Sequence, residues 1–160
     1  MADGGIKIVN ETAWKNKLSQ YAYMQKEYYN QLDRLQQLQN DAELPAMQEG
    51  DGSQRSLLKT SRMENATIKK IEQEKKINAR LKELDREMAE IEDAIDTLTD
   101  PLQREVLRIR YTDCEDLRLT RWNDVAMKIY GSDEEKYIIS IWRTHNPALQ
   151  ALAKQPGPQE

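Results

Sequence analysis

The sequence predicts an all-α protein, a long antiparallel helical hairpin or coiled coil followed by a small C-terminal helix-turn-helix bundle. Three observations lead there. Apolar residues recur at helical spacing through most of the first hundred positions. Charged residues make up 32% of the chain against 38% hydrophobic, with no Phe and a mean hydropathy of −0.89, which suits narrow helical seams better than one large core. After Leu98 the long pattern gives way to closely spaced helix starts and stops.

Residues 1–11 show no periodicity and are expected to form a flexible N-terminus. From about Thr12 to Asp41, Trp14, Leu18, Tyr21, Met24, Tyr28, Leu32, Leu35 and Leu38 make one stripe on one helix. The segment containing Pro45, Gly50 and Gly52 loses that period and is expected to be a loop over about 44–60. Ser61 with Glu64 offers a capping box for a second helix. Along it Ile77, Leu81, Leu84, Met88, Ile91, Ile95 and Leu98 alternate steps of four and three, a heptad seam. Residues 12–98 are thus expected to fold back as a hairpin, or to pair between chains. Because two helices bury little alone, homo-oligomerisation through the long helices is expected in addition.

A different grammar runs over 99–154. Asp100, Pro101 and Gln103 supply an N-cap, an N1 proline and the rest of a box, so a helix is expected from there to about Tyr111. A polar connection follows, then a short helix through Trp122, Val125, Ala126 and Ile129, stopped by Gly131. Ser132 with Glu135 suggests a capping box for the next helix, with Ile138, Ile141, Trp142 and His145 as its core face. Asn146 and Pro147 are expected to end it, and 155–160 to be a tail.

Composition excludes several functions. One His and one Cys, far apart, make neither a zinc site nor a nucleophile–base pair, and no Gly-rich phosphate loop occurs. The carboxylates lie on solvated helix faces, where they serve as ion-pair partners. No enzyme activity, no metal and no cofactor is therefore expected. No apolar run reaches a membrane span, and the opening MADGGIKIVNE lacks the regions of a secretory leader. With a lone Cys114, a reducing cytoplasm is the expected compartment.

Positive signal lies in the C-terminal helices. A helix, RWNDVAMKIYG, a turn and a second helix is helix-turn-helix order, with Ala126 small where helices cross. On the last helix, Lys136, Tyr137, Ser140, Arg143 and Thr144 share the face opposite the expected core, and they are candidates for base reading and phosphate contact with double-stranded DNA. Thr120 and Arg121, at the start of the preceding helix, are candidates to hold a phosphate with backbone N–H groups. Arg104 and Arg108 suit either a solvated face or phosphate contact, and His145 a core position. The tyrosines of the first helix suit packing or an interface, with a base-stacking platform as the alternative.

LTDPLQREVLRIRYTD followed by TRWNDVAMKIYGS resembles region four of bacterial sigma factors. With GDGSQRS and SRMENATIKKI before it, the chain is similar over about residues 20–152 to small sigma region-four-like proteins of temperate phages and integrative elements of Gram-positive bacteria. That resemblance implies a transcription regulator in the bacterial host cytoplasm, with REVLRIRY as a helix supporting the helix-turn-helix. It implies arginines there that face outward or pair with acids of the neighbouring helix, and Arg110, at the family's Arg-Tyr pair, in an ion pair for which Asp124 is the candidate partner.

Charge argues the other way. Over 99–154, nine Lys and Arg face nine Asp and Glu, and Asp133, Glu134 and Glu135 open the expected recognition helix. A module that gains affinity by neutralising phosphates is ordinarily basic. The alternative reading is a helical interaction factor that binds RNA polymerase, or a phage assembly or DNA-packaging adaptor, without reading sequence.

Overall fold

The computed structural model describes residues 2–43 and 54–154, and side chains over 10–41 and 62–154. All regular structure among them is helical: α1 (Ala2–Glu43), α2 (Gln54–Asp96), α3 (Pro101–Leu107), a π-helical turn (Arg108–Thr112), α4 (Trp122–Tyr130) and α5 (Glu135–Ala153). The expected all-α class holds, with α1 and α2 as an antiparallel hairpin.

Both long helices outrun their expected starts. The first begins at Ala2, taking in nearly all of the segment expected to be a flexible N-terminus. The second begins at Gln54, so Ser61 lies within a helix rather than at its start, and only 44–53 of the expected loop falls outside the described residues. Nothing between 54 and 96 is Gly or Pro, so no residue there stops a helix from propagating backward. The expected tail, 155–160, also lies outside the described residues.

Compact units divide the chain across the hairpin rather than at its end: one comprises residues 1–26 and 86–160, the other 27–85. In the first, Trp14, Leu18, Tyr21 and Ala22 of α1 are buried, as are Ile91, Ala94, Ile95 and Leu98 at the end of α2. Lys17 Nζ meets a carboxylate oxygen of Glu90 at 3.1 Å, and Tyr21 donates to Glu92. In the second, Arg80 grips Glu27 through Nε at 2.9 Å and Nη2 at 2.7 Å. These half-exposed pairs set register more than they stabilise.

The C-terminal head begins as expected. Asp100 accepts the Leu102 N–H at 2.9 Å, and Pro101 occupies the first helical position. The helix then widens, with the Asp113 N–H reaching the Arg108 carbonyl at 2.8 Å, and this π turn carries Ile109 and Tyr111 into the interior. Val106, Ile109, Val125, Ala126 and Ile141 form the head's core, with Leu102, Trp122, Ile129, Tyr137 and Ile138 packed against it. Gly131 ends α4 in the left-handed conformation at φ 72°, and its N–H returns to the Met127 carbonyl at 2.9 Å.

Two boundaries of α5 differ from expectation. Ser132 makes no capping box; its hydroxyl accepts the Glu134 N–H at 3.3 Å in a short turn, and the Glu134 carbonyl takes the first helical N–H groups, from Tyr137 and Ile138. At the other end the helix runs through Pro147 to Ala153. The proline forfeits one backbone bond there, but buried Ala148, Leu149 and Leu152 beyond it hold the turn by packing.

A β-carbon on Gly131 would meet nothing within 4 Å, so Gly131→Ala tests backbone conformation alone. Denaturant unfolding of this variant is expected to show a loss of about 1–2 kcal/mol, with Gly131→Asn losing less. Ile141→Ala, at a fully buried position, is expected to cost about 2–5 kcal/mol in the same assay.

Candidate nucleic-acid interface

The buried side of α5 consists of Ile141, His145, Ala148, Leu149 and Leu152. His145 is its anchor. Its Nε2 shares a 2.6 Å hydrogen bond with the hydroxyl of Tyr111, which is itself 1% exposed, and its ring meets the edge of Trp122 at 4.9 Å. The π turn, α4 and α5 are thereby tied together at one point. Burial first, then the positive charges of Lys15 and Arg110, push the imidazole down from its ordinary 6.5 to about 4, so it is neutral at physiological pH. Burial raises the Tyr111 phenol in the same environment.

Arg110 does not form the ion pair expected with Asp124. Its guanidinium lies 4.2 Å from the Trp122 ring centroid and donates through Nη1 to the Thr120 carbonyl at 2.5 Å, leaving Nε buried without a partner. A cation over an aromatic face keeps its charge without a carboxylate, and the link locks the loop before α4 onto the π turn. Arg104 and Arg108 are engaged too. Arg104 donates to the Leu98 carbonyl at 2.5 Å, while Arg108 pairs with Asp96 and, at 3.4 Å, with Glu105. Arg104 thereby fastens α3, and Arg108 the π turn, to the end of α2, and for Arg108 this is the expected pairing with an acid of the neighbouring helix.

The sequence-derived candidates divide into two groups. Thr120, Tyr137, Ser140 and Thr144 are occupied within the head. Thr120 spends its N–H on the Arg110 carbonyl at 3.2 Å, so it has no backbone donor left for the phosphate it was expected to hold. Tyr137 stacks on Tyr130 at 4.8 Å, Ser140 shares a 2.9 Å hydrogen bond with the Tyr130 hydroxyl, and Thr144 donates to the Ser140 carbonyl at 2.9 Å. Arg121, Lys136 and Arg143 are exposed. Arg121 occupies the N-cap position of α4 beside a groove lined also by Arg118, Lys128, Asp113, Glu115 and Asp124. Lys136 lies over Tyr137 at 4.8 Å and 3.6 Å from Glu134. Arg143 makes no ion pair among the described residues.

Trp142 corrects the expected core. It is 52% exposed, next to Arg143 on the outer face of α5, and exposed Asn146 follows one turn later. Hydrophobicity alone placed Trp142 inside, whereas the inward line is set by Ile141 and His145. Asn146, expected with Pro147 to end the helix, instead lies within it because the helix runs through the proline. The outer face of α5 thus presents Lys136, Trp142, Arg143 and Asn146.

Among the described residues no cluster of His, Cys, Asp and Glu could hold a metal ion, and no helix is long and apolar enough to cross a membrane. Comparison of the chain with protein-family models, curated proteins and solved structures returns no match.

Because folding depresses the pKa of His145, the unfolded chain binds a proton near pH 6.5 that the folded chain refuses until about pH 4. Stability is complete above 6.5 and falls as pH drops through this window, by at most about 1.4 kcal/mol per pH unit. Urea midpoints measured at pH 7, 6, 5 and 4.5 are expected to show that slope. In His145→Gln, which lacks the only histidine of the chain, it is expected to flatten between pH 6.5 and 5, where carboxylates contribute little.

Proposed function

We propose that this chain is a DNA-binding transcription regulator of the sigma region-four-like kind carried by phages and mobile elements. Its head docks α5 in the major groove, and its hairpin serves for assembly. The observation that carries the reading is the outer face of α5. Arg143, without an ion pair, stands three residues before Asn146, and these are the side-chain types that bond guanine and adenine edges bidentately. Lys136 supplies a phosphate contact from the same face. Core residues hold this helix from behind, so the readers sit on a rigid element.

A second reading keeps the fold but replaces DNA with protein, either RNA polymerase or a phage assembly or packaging component. Exposed Trp142 favours it, since a half-exposed tryptophan is a characteristic anchor of protein interfaces. So does the balanced charge of 99–154.

Selection of bound duplexes from a random DNA pool by the purified chain at moderate salt separates the two. An enriched motif is expected, with affinity falling steeply as salt rises. Arg143→Ala is expected to lose about ten- to a hundredfold in affinity for that motif and to relax preference at one base position. Absence of any enriched motif, together with salt-insensitive capture of RNA polymerase abolished by Trp142→Ala, would overturn the DNA reading in favour of the second.

A further inference from the structure

The unit formed by residues 27–85 is two helices with almost no interior. Among its described residues only Leu81 and Leu84 are buried, while Leu32, Leu35, Leu38 and Ile77 remain half covered. A seam this thin is marginal for a helix pair in water. Of its four large exposed apolar residues among those described, Met63 falls on the seam register and the other three lie together. In α2 the seam steps through positions 67, 70, 74, 77, 81 and 84, and Ile68 and Ile71 each stand one residue past a seam position. In α1, Tyr29 stands one past Tyr28 in the same way. Positions one past the seam emerge on the same side of an antiparallel pair, so Tyr29, Ile68 and Ile71, exposed by 56%, 54% and 47%, belong to one flank of the hairpin. The opposite flank is a polar groove with Gln31, Arg34, Asp41, Gln73 and Lys76 around Leu38 and Ile77.

Charge on the apolar flank is self-complementary. Asp33 of α1 and Lys75 of α2 occupy the same one-past-the-seam register, both are exposed, and neither is in an ion pair among the described residues. In this unit α1 carries three carboxylates against one arginine over 27–41, whereas α2 carries seven Lys and Arg against five carboxylates over 62–85. A two-fold axis that lays α1 of one copy across α2 of another brings acid against base twice, as an isologous contact requires. Size agrees. One side of a two-helix ribbon of 24 residues is about 36 Å by about 20 Å, on the order of 700 Å², close to the roughly 800 Å² per partner of a standard stable interface.

We infer that this flank, centred on Tyr29, Ile68 and Ile71, is the dimerisation surface of the protein and takes a second copy of the same chain to complete a four-helix bundle, with Asp33 of each copy facing Lys75 of the other. This inference stands independently of DNA binding.

Sedimentation equilibrium of the full chain at about 100 µM, well above the Kd of a standard-sized interface, tests it. The expected mass is twice the 18.7 kDa of one chain. Ile71→Glu, an exposed position whose change leaves the seam intact, is expected to weaken dimerisation at least tenfold. Asp33→Lys and Lys75→Asp are each expected to weaken the homodimer through two like-charge contacts. An equimolar mixture of the two is expected to recover wild-type mass, because both cross-copy pairs become opposite again. Recovery on mixing identifies the facing residues, which general unfolding by either change could not mimic. A monomer at that concentration overturns the inference and leaves the flank to another protein; a dimer indifferent to all three changes overturns it as well.

Discussion

The hydrogen bond between Tyr111 and His145 is the constraint on which the head depends. It joins two side chains that are polar at their tips and buried nearly everywhere else, so each would be costly in the interior without the other. The π turn aims Tyr111 inward, Trp122 closes the edge of the imidazole, and Arg110 covers Trp122 while holding the Thr120 carbonyl. The rotation of α5 follows from this knot. With His145 and Ile141 turned in, Trp142 and Arg143 have no direction left but outward.

Much of the fold was legible in the sequence because helix periodicity and caps are local signals. The heptad seam ending at Leu98, the Asp100–Pro101 start and the Gly131 stop each depend on a few neighbouring residues, and all stand where expected. The failures share a cause. Ser61, the Ser132–Glu135 pair and Asn146–Pro147 are also local signals, but at each place tertiary packing or uninterrupted helix propensity outweighed a cap worth about 1 kcal/mol. The π turn had no local signature, since it arises from the demand that Ile109 and Tyr111 both be buried.

The candidate face was legible in kind more than in detail. A polar face on the last helix was expected and α5 has one, with Lys136 and Arg143 on it. Tyr137 and Ser140 are engaged across to α4, by stacking on the Tyr130 ring and by bonding its hydroxyl, whereas the Thr144 hydroxyl turns back onto the Ser140 carbonyl of its own helix. Trp142 escaped because hydrophobicity indicates what a side chain prefers, whereas orientation along a helix is decided by the strongest neighbours on the inward line. An exposed tryptophan between two core residues is detectable only when the helix is phased on its buried polar anchor, His145.

Charge balance constrains how such a head could work on DNA. With as many acids as bases over 99–154, a single head gains little from counterion release, and Asp133, Glu134 and Glu135 at the start of α5 favour the helix dipole while opposing a phosphate nearby. Under the proposed reading, discrimination must then come from base edges rather than backbone attraction, and affinity from more than one head on the same duplex. A dimer built on the 27–85 unit supplies that second head. Linking two weak sites makes the second contact intramolecular and raises occupancy by orders of magnitude with no new contact. The thin seam between residues 27 and 85 is in this view matched to the neutral head: each half is incomplete as a monomer, and one pairing event makes up both deficits.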